Sequence, residues 1–367
     1  MSKHTNLNKR FYFLSLVNPT LLSAALAIVL LLFFTVFALR YIHASQERVV
    51  REHMQTSLNS FSELIGVWQQ QNLAALQMLA SSAQGKILLK QVLLEQGDNP
   101  ATHQALRDWL YPVLMVMGFD GFSVINHERL IVAASTGAYH KRPVLLPETQ
   151  EVLDKAQIKH PAISRPTTAV LALEGPRGTQ PAGSLMQNMC VLFESEVTEP
   201  GYFCLRFNTQ SSFFPIFLKG RTGKSGEVYA IDDTGRFITP ARFAEKGADA
   251  IQQRNARLGS FVQLPTKTEG KPVLTEVAEF LVNNESNFVN MNYRDYRGVS
   301  VVGAGSWIAS MNIGVIIEQS VDEAMNPFFA SRNIIIGLSL SANLLIVLLT
   351  VTAIINRHRL GIREGRF

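Results

Sequence analysis

The residues in this chain able to do chemistry are few and scattered. His103, His127, His140 and His160 stand at no metal-ligand spacing. Ser225 lies in Gly-Lys-Ser-Gly-Glu, but neither G-x-S-x-G nor the phosphate loop G-x-x-x-x-G-K-[ST] is present. No nucleophile, base or metal set is assembled, so no enzymatic activity, metal or cofactor is expected. Binding is better provided for. A small polar ligand needs an aromatic wall and one or two directed charges. Tyr139, Arg142, Tyr202 and Arg206, with Trp109 to close the space, form one such set, and Tyr229, Arg242 and Tyr296 form a second. Arg206 alternates with Leu205 and Phe207 along a strand-like segment, so a solvent-facing arginine is the alternative. The charges in YRDYRG fit a solvated hairpin tip equally well.

Cys190 and Cys204, the only cysteines, sit in SLMQNMCVLF and GYFCLRF, joined by ESEVTEP. A hairpin centred on Val197 makes position 190 face position 204. A cross-strand disulfide and a pair of buried thiols are both compatible with that register.

These residues are positioned by a chain bracketed by two uncharged stretches. Thr20 to Leu39 (TLLSAALAIVLLLFFTVFAL) is twenty residues long, enough to cross a hydrocarbon layer of roughly 30 Å at about 1.5 Å per residue. A cleaved signal peptide is the competing reading, but such cores are shorter, about 7 to 15 residues, and no Ala-x-Ala-like site follows. Ile334 to Ile355 is twenty-two residues broken only by uncharged polar groups, and a basic tail follows at once. A buried core helix is its alternative. Lys3, Lys9 and Arg10 precede the first stretch, and Arg357, Arg359, Arg363 and Arg366 follow the second against Glu364. The positive-inside rule puts both tails in the cytoplasm and Arg40 to Asn333 in the periplasm. Of 34 basic and 29 acidic residues, the tails take seven and one, which leaves the intervening stretch with 27 against 28, a net charge of −1. The basic excess belongs to the membrane flanks, and no nucleic-acid partner is implied.

After the first span Met54, Leu58, Phe61, Ile65, Trp68, Asn72, Ala75 and Leu79 recur at spacings of four and three, which predicts a stalk helix within 40–97. The stripe suits a homodimer seam or packing against its own domain. HQALRDWLYPVLMVM continues as helix. FDGFSVINHERLIVAAS then reads as a hairpin around Asn126-His127-Glu128, and GEVYAIDDTGRFITPARF as a second around Asp232-Asp233-Thr234-Gly235. Aligning Ile125 with Ile231 gives a weak internal repeat, hence two related units, 98–208 and 209–326. TQSSFFPIFLKG reads as a connecting helix. Phe243 to Asn287 reads as loops and short helices, and FVNMNYRDYRGVSVVGAGSWIASMNIGVIIEQS as three antiparallel strands. An exit helix, 327–333, is interrupted or kinked at Pro327. The remaining divisions are tails at 1–19 and 356–367 and spans at 20–39 and 334–355.

This arrangement resembles the double Cache sensor family. GRTGKSGEVYAIDDTGRFITPARF is similar to that family's glycine loop, Tyr-bearing strand, acidic-Gly turn and strand ending in Arg-Phe. YRDYRGVSVVGAGSWI with MNIGVIIEQSVDEA is similar to its last three strands and exit helix. The likeness covers roughly Gly220 to Asn326 well and the distal unit in outline. It implies an α+β fold, a long N-terminal stalk helix plus two tandem PAS-like units flanked by two transmembrane helices. It also implies a small extracellular ligand bound in the distal unit. Amino-acid-binding members carry Arg-x-Trp-Tyr after the first distal hairpin; AYHKRPVLL here has Tyr139 and Arg142 but no Trp, and Arg107-x-Trp109 precedes the hairpin. An amino-acid ligand is therefore not supported.

The twelve residues NRHRLGIREGRF after the second span are too short for a kinase, cyclase or methyl-accepting module. The expectation is an inner-membrane sensor of a bacterium, with partners comprising the lipid bilayer, an unidentified small molecule and a separate cytoplasmic or membrane signalling protein. A two-span periplasmic scaffold without a ligand is the alternative, and it requires little sheet.

Overall fold

The computed structural model describes residues 19–137, 140–144, 147–158, 160–194, 199–243, 258–265 and 272–364. The chain divides into two compact units, Met1–Glu52 with Asp322–Phe367, and His53–Val321.

The first unit holds the two apolar stretches. Helix α1, Pro19–Ser81, begins in it, and the helix here numbered α9, Asn326–Glu364, ends it. Both are long and apolar enough to cross a membrane, and their most apolar stretches bury none of their residues. Phe33, Phe34, Phe37, Leu338, Leu345 and Leu349 are exposed. A core helix would have buried such side chains, so the core-helix alternative for Ile334–Ile355 does not hold. Thr35 Oγ1 donates to Ser339 Oγ at 2.8 Å, and the His43 and Phe328 rings meet edge to face at 4.8 Å. The break expected at Pro327 falls at Met325, after a short helix Val321–Ala324 (α8). Pro327 is the second residue of α9, where its fixed φ suits a helix start and its missing N–H loses no bond.

In the second unit α1 continues to Ser81, then α2 (Ala83–Leu94, capped by the Ser82 hydroxyl) and α3 (Pro100–Met117, capped by Asn99) lead into the first sheet. That sheet contains β1 (Gly121–Ile125), β2 (Ile131–Ala134), β3 (Ala162–Ile163), β4 (Thr167–Thr168), β5 (Leu185–Phe193) and β6 (Gly201–Asn208). Among the described residues its order is β2-β1-β6-β5-β3, with β4 on β5. Helix α4 (Pro147–Lys155) crosses between β2 and β3. The short helices α5 (Thr209–Ser212) and α6 (Phe214–Lys219) are the expected connection to the second sheet. That sheet runs β7-β10-β9-β8, with β7 (Glu227–Ile231), helix α7 (Glu276–Asn284), β8 (Phe288–Arg294), β9 (Ser300–Ile308) and β10 (Ile313–Ser320).

One reading of the sequence needs correcting. The second hairpin stops after one bridge, Ile231 to Phe237. The main partner of β7 is β10, along Glu227–Ile231. The stalk stripe packs inward: Met54, Leu58, Phe61 and Ile65 are at most 5% exposed. Phe61 meets Phe217 at 5.2 Å, and Trp68 meets Phe207 and Phe213 at 5.3 and 5.1 Å. Of the two alternatives for the stripe, packing against its own domain is the one seen. The two sheets also exceed what the scaffold alternative allows.

Candidate functional site

Strand alternation decides which residues of the distal sheet share a face. On β6, Phe203, Leu205 and Phe207 point one way, and the Phe207 ring meets Trp68 of α1 and Phe119 beside α3. Tyr202, Cys204 and Arg206 point the other way. The pairing Cys190 to Cys204 carries Asn188 opposite Arg206 and Met186 opposite Asn208. The same register puts Gly121 beside Arg206, Ser123 beside Cys204 and Ile125 beside Tyr202. Cys190 and Cys204 are joined by a disulfide with a Cα–Cα distance of 4.1 Å; Val197, the expected hairpin centre, lies outside the described residues. The disulfide packs with Ile125, Ile131, Val152, Leu153 and Ala156, which closes one end of this face under α4.

The rest of the face is hollow. A cavity of about 170 Å³ is floored by Ser123, Ile125, Met186, Asn188 and Arg206 and walled by Arg142 to Val144, Thr149, Thr167 and the 169–173 segment. Its polar groups are placed by local bonds. Asn188 Nδ2 donates to Thr149 Oγ1 at 3.2 Å, and Asn188 N–H to Ser164 Oγ at 3.0 Å. Arg206, 8% exposed, donates from Nη2 to the carbonyls of Glu174 at 2.8 Å and Asp120 at 3.2 Å. Two glycines make this possible. A Cβ on Gly121 would collide with Arg206 Nη2 and Ser135 Oγ, and one on Gly175 would strike the Asp120 carbonyl. Among the described residues the cavity wall includes two arginines and no carboxylate. Such a wall suits a ligand of benzene-like size carrying negative charge, because arginine meets a carboxylate with paired, charge-assisted bonds.

Arg142 and Arg206 are thus brought together, and the solvent-facing alternative for Arg206 fails because this sheet is covered on both faces. Tyr202 shares the face but is half-buried against the disulfide cluster, outside the cavity wall. Trp109 is not on the wall; it packs on α2, where Gly85 leaves room for its ring. Tyr139 lies outside the described residues. Asn188, Thr149 and Thr167 were not anticipated. Asn188 was within reach of sequence reasoning, since the register that pairs the cysteines also pairs 188 with 206.

The second set fills the interior of the proximal unit. Tyr229 is fully buried against Phe237 and Tyr296, with ring centres 5.1 and 6.0 Å away. The Tyr296 hydroxyl donates to Glu227 at 2.9 Å. Arg242 donates from Nη1 and Nη2 to the Gly223 carbonyl at 3.3 and 3.2 Å, and also to that of Gly226. These three residues hold the unit together and line no described cavity. Of the scattered histidines, His103 and His140 meet with ring centres 5.4 Å apart, each bonded to the Val132 carbonyl at 3.1 Å. Burial lowers the His103 pKa and favours its neutral form.

No family model matches this sequence, and no curated protein does. Solved structures are similar to it at low identity. The sensor domain of the Vibrio cholerae histidine kinase DctB is 11% identical with a TM-score of 0.47, over 75% of this chain and 98% of that one. The ligand-binding domain of the Campylobacter jejuni chemoreceptor Tlp3, in complex with 4-methylisoleucine, is 10% identical with a TM-score of 0.47, over 76% and 94%. Two antiparallel sheets in tandem, joined by short helices and preceded by one long helix, are the arrangement that a double Cache sensor domain implies, and the chain has that arrangement.

Proposed function

We propose that this protein is a membrane-anchored sensor that binds a small anionic molecule in the distal cavity and passes the event to a separate signalling protein. The observation that carries the reading is a cavity of about 170 Å³ with Arg142 and Arg206 in its wall and no acidic residue among the described lining residues. The two apolar helices supply the anchor, and the basic residues outside them orient it with both tails in the cytoplasm and the sheets in the periplasm. The bacterial inner membrane is the compartment that fits.

A route from cavity to membrane-proximal unit is available. Thr167 lines the cavity. Two residues earlier, Arg165 Nη1 donates to Asp233 Oδ1 at 2.5 Å, in the turn after β7. A ligand that shifts the Thr167 segment acts on that ion pair, and through β7 on β10, whose chain continues into α8 and α9. The test is a thermal-shift screen of the full chain in nanodiscs against small carboxylates, each paired with its neutral amide. Stabilisation by a carboxylate but not by its amide is expected. Equal shifts for both, or none across the panel, would refute an anion site.

A further inference from the structure

The inside of the proximal unit holds an arrangement that ligand binding in the distal cavity does not use. Glu227 on β7 and Glu318 on β10 are register partners, directly opposite each other on adjacent strands. Asp295, in the turn between β8 and β9, completes a group whose carboxylate oxygens lie within 4.8 Å of one another. All three are at most 1% exposed. Like charges opposite each other on neighbouring strands repel, and burial multiplies the effect.

Asp295 is provided for. Its Oδ1 accepts the backbone N–H of Arg297 at 2.8 Å and of Val299 at 2.9 Å, and its Oδ2 accepts Arg297 Nε at 2.7 Å. Arg297 Nη2 also lies 2.6 Å from Asp295 Oδ2 and 3.8 Å from Glu227 Oε1. One guanidinium therefore serves two of the three carboxylates, Asp295 and Glu227. The other groups around them are uncharged donors. Tyr296 and the Arg242 N–H serve Glu227; the Arg242 guanidinium is turned to the carbonyls of Gly223 and Gly226. Tyr293 donates to Glu318 Oε1 at 2.7 Å. From β9 the neighbour of Glu318 is Gly303, which brings no side chain.

Two buried atoms remain without a hydrogen-bond partner, Glu318 Oε2 and Tyr229 Oη. The Tyr229 hydroxyl sits beside Glu318 and acts on it. A proton on Glu318 removes a buried negative charge set beside two others.

We propose that Glu318 and Glu227 form a buried proton-binding centre, so that the proximal unit responds to external pH as a second input, independent of the distal cavity. Burial holds the Glu318 carboxyl well above the usual range and Glu227 at about 7, with Arg297 pulling Glu227 the other way. Both groups hold a proton more tightly folded than unfolded. The stabilisation is therefore complete below about 4.5, the ordinary value, and is lost as pH rises toward and past 7. Each such proton lowers the folded-to-unfolded ratio by up to about tenfold per pH unit across that window. Loss of the proton sets two charges against each other across β7 and β10, and β10 is the strand that runs into the exit helices.

The experiment uses the full chain in nanodiscs, without any distal ligand, at fixed ionic strength. Infrared difference spectra between pH 6.5, where exposed carboxylates are ionised, and pH 9 should show a protonated carboxyl band that diminishes as pH rises and weakens in Glu318→Gln. Wild-type melting temperature should fall over the same range, and the fall should flatten in Glu318→Gln. The absence of the band from wild-type protein overturns the proposal whether or not the variant folds. So does a slope unchanged in Glu318→Gln. A cation site would show instead as stabilisation by calcium or magnesium at constant pH and its loss with chelator, and that result also overturns it.

Discussion

Replacing Arg206 by Met separates the two tasks assigned to this side chain. Met keeps much of the aliphatic volume but removes the donors to the Glu174 and Asp120 carbonyls, at 2.8 and 3.2 Å. Each hydrogen bond contributes about 0.5–1.5 kcal/mol net, so the loss is about 1–3 kcal/mol in the absence of any ligand. For a domain of this size 1 kcal/mol moves the melting temperature by roughly 2–4 °C, which gives a fall of about 2–12 °C. Arg142 is exposed, and Arg142→Met should change stability by less than about 0.5 kcal/mol. Affinity should behave differently. A charged hydrogen bond to a ligand carboxylate is worth about 1.5–3 kcal/mol, or roughly 10- to 150-fold in Kd, and both variants should lose it. Differential scanning fluorimetry without ligand and calorimetric titration with a carboxylate from the screen measure the two quantities. An Arg206→Met protein as stable as wild type, or one that binds as tightly, would refute the reasoning.

Other consequences can be checked separately. Ala169→Leu projects into the cavity and should abolish binding while leaving the melting temperature unchanged or higher, because it fills empty volume. Reducing the Cys190–Cys204 bond, whose cysteines are 14 residues apart, should cost about 3 kcal/mol; unreduced mass spectrometry should find neither thiol free to alkylate. Asp233→Asn breaks a partly exposed ion pair with Arg165 and should change stability by less than about 1 kcal/mol. It should still suppress ligand-driven distance changes in the proximal unit measured by paired spin labels.

How far the sequence reached depends on what each signal encodes. An uncharged run of twenty residues is a local property, and so is the alternation that paired the β5 and β6 hairpin around its cysteines; both were legible. The solvent-facing alternative for Arg206 arose because alternation with Leu205 and Phe207 suggests one dry and one wet face. This sheet is dry on both, with helices α1 to α3 on one side and α4 with the 160–184 segment on the other. Trp109 was misplaced for a related reason: an aromatic on a helix before the hairpin can turn to the sheet or to its neighbouring helix, and the small Gly85 drew it to α2. The acidic centre was invisible. Glu227 and Glu318 are 91 positions apart, each looks like a charged strand end, and only the antiparallel pairing of β7 with β10 sets them opposite.

The most direct measurement is a ligand-bound structure of the full chain with a carboxylate selected from the screen. The anionic group should lie within hydrogen-bond distance of Arg206 and Arg142, above Asn188, with the rest of the molecule between β5 and the 169–173 segment. A ligand seated elsewhere, with the distal cavity empty or collapsed, would contradict the account.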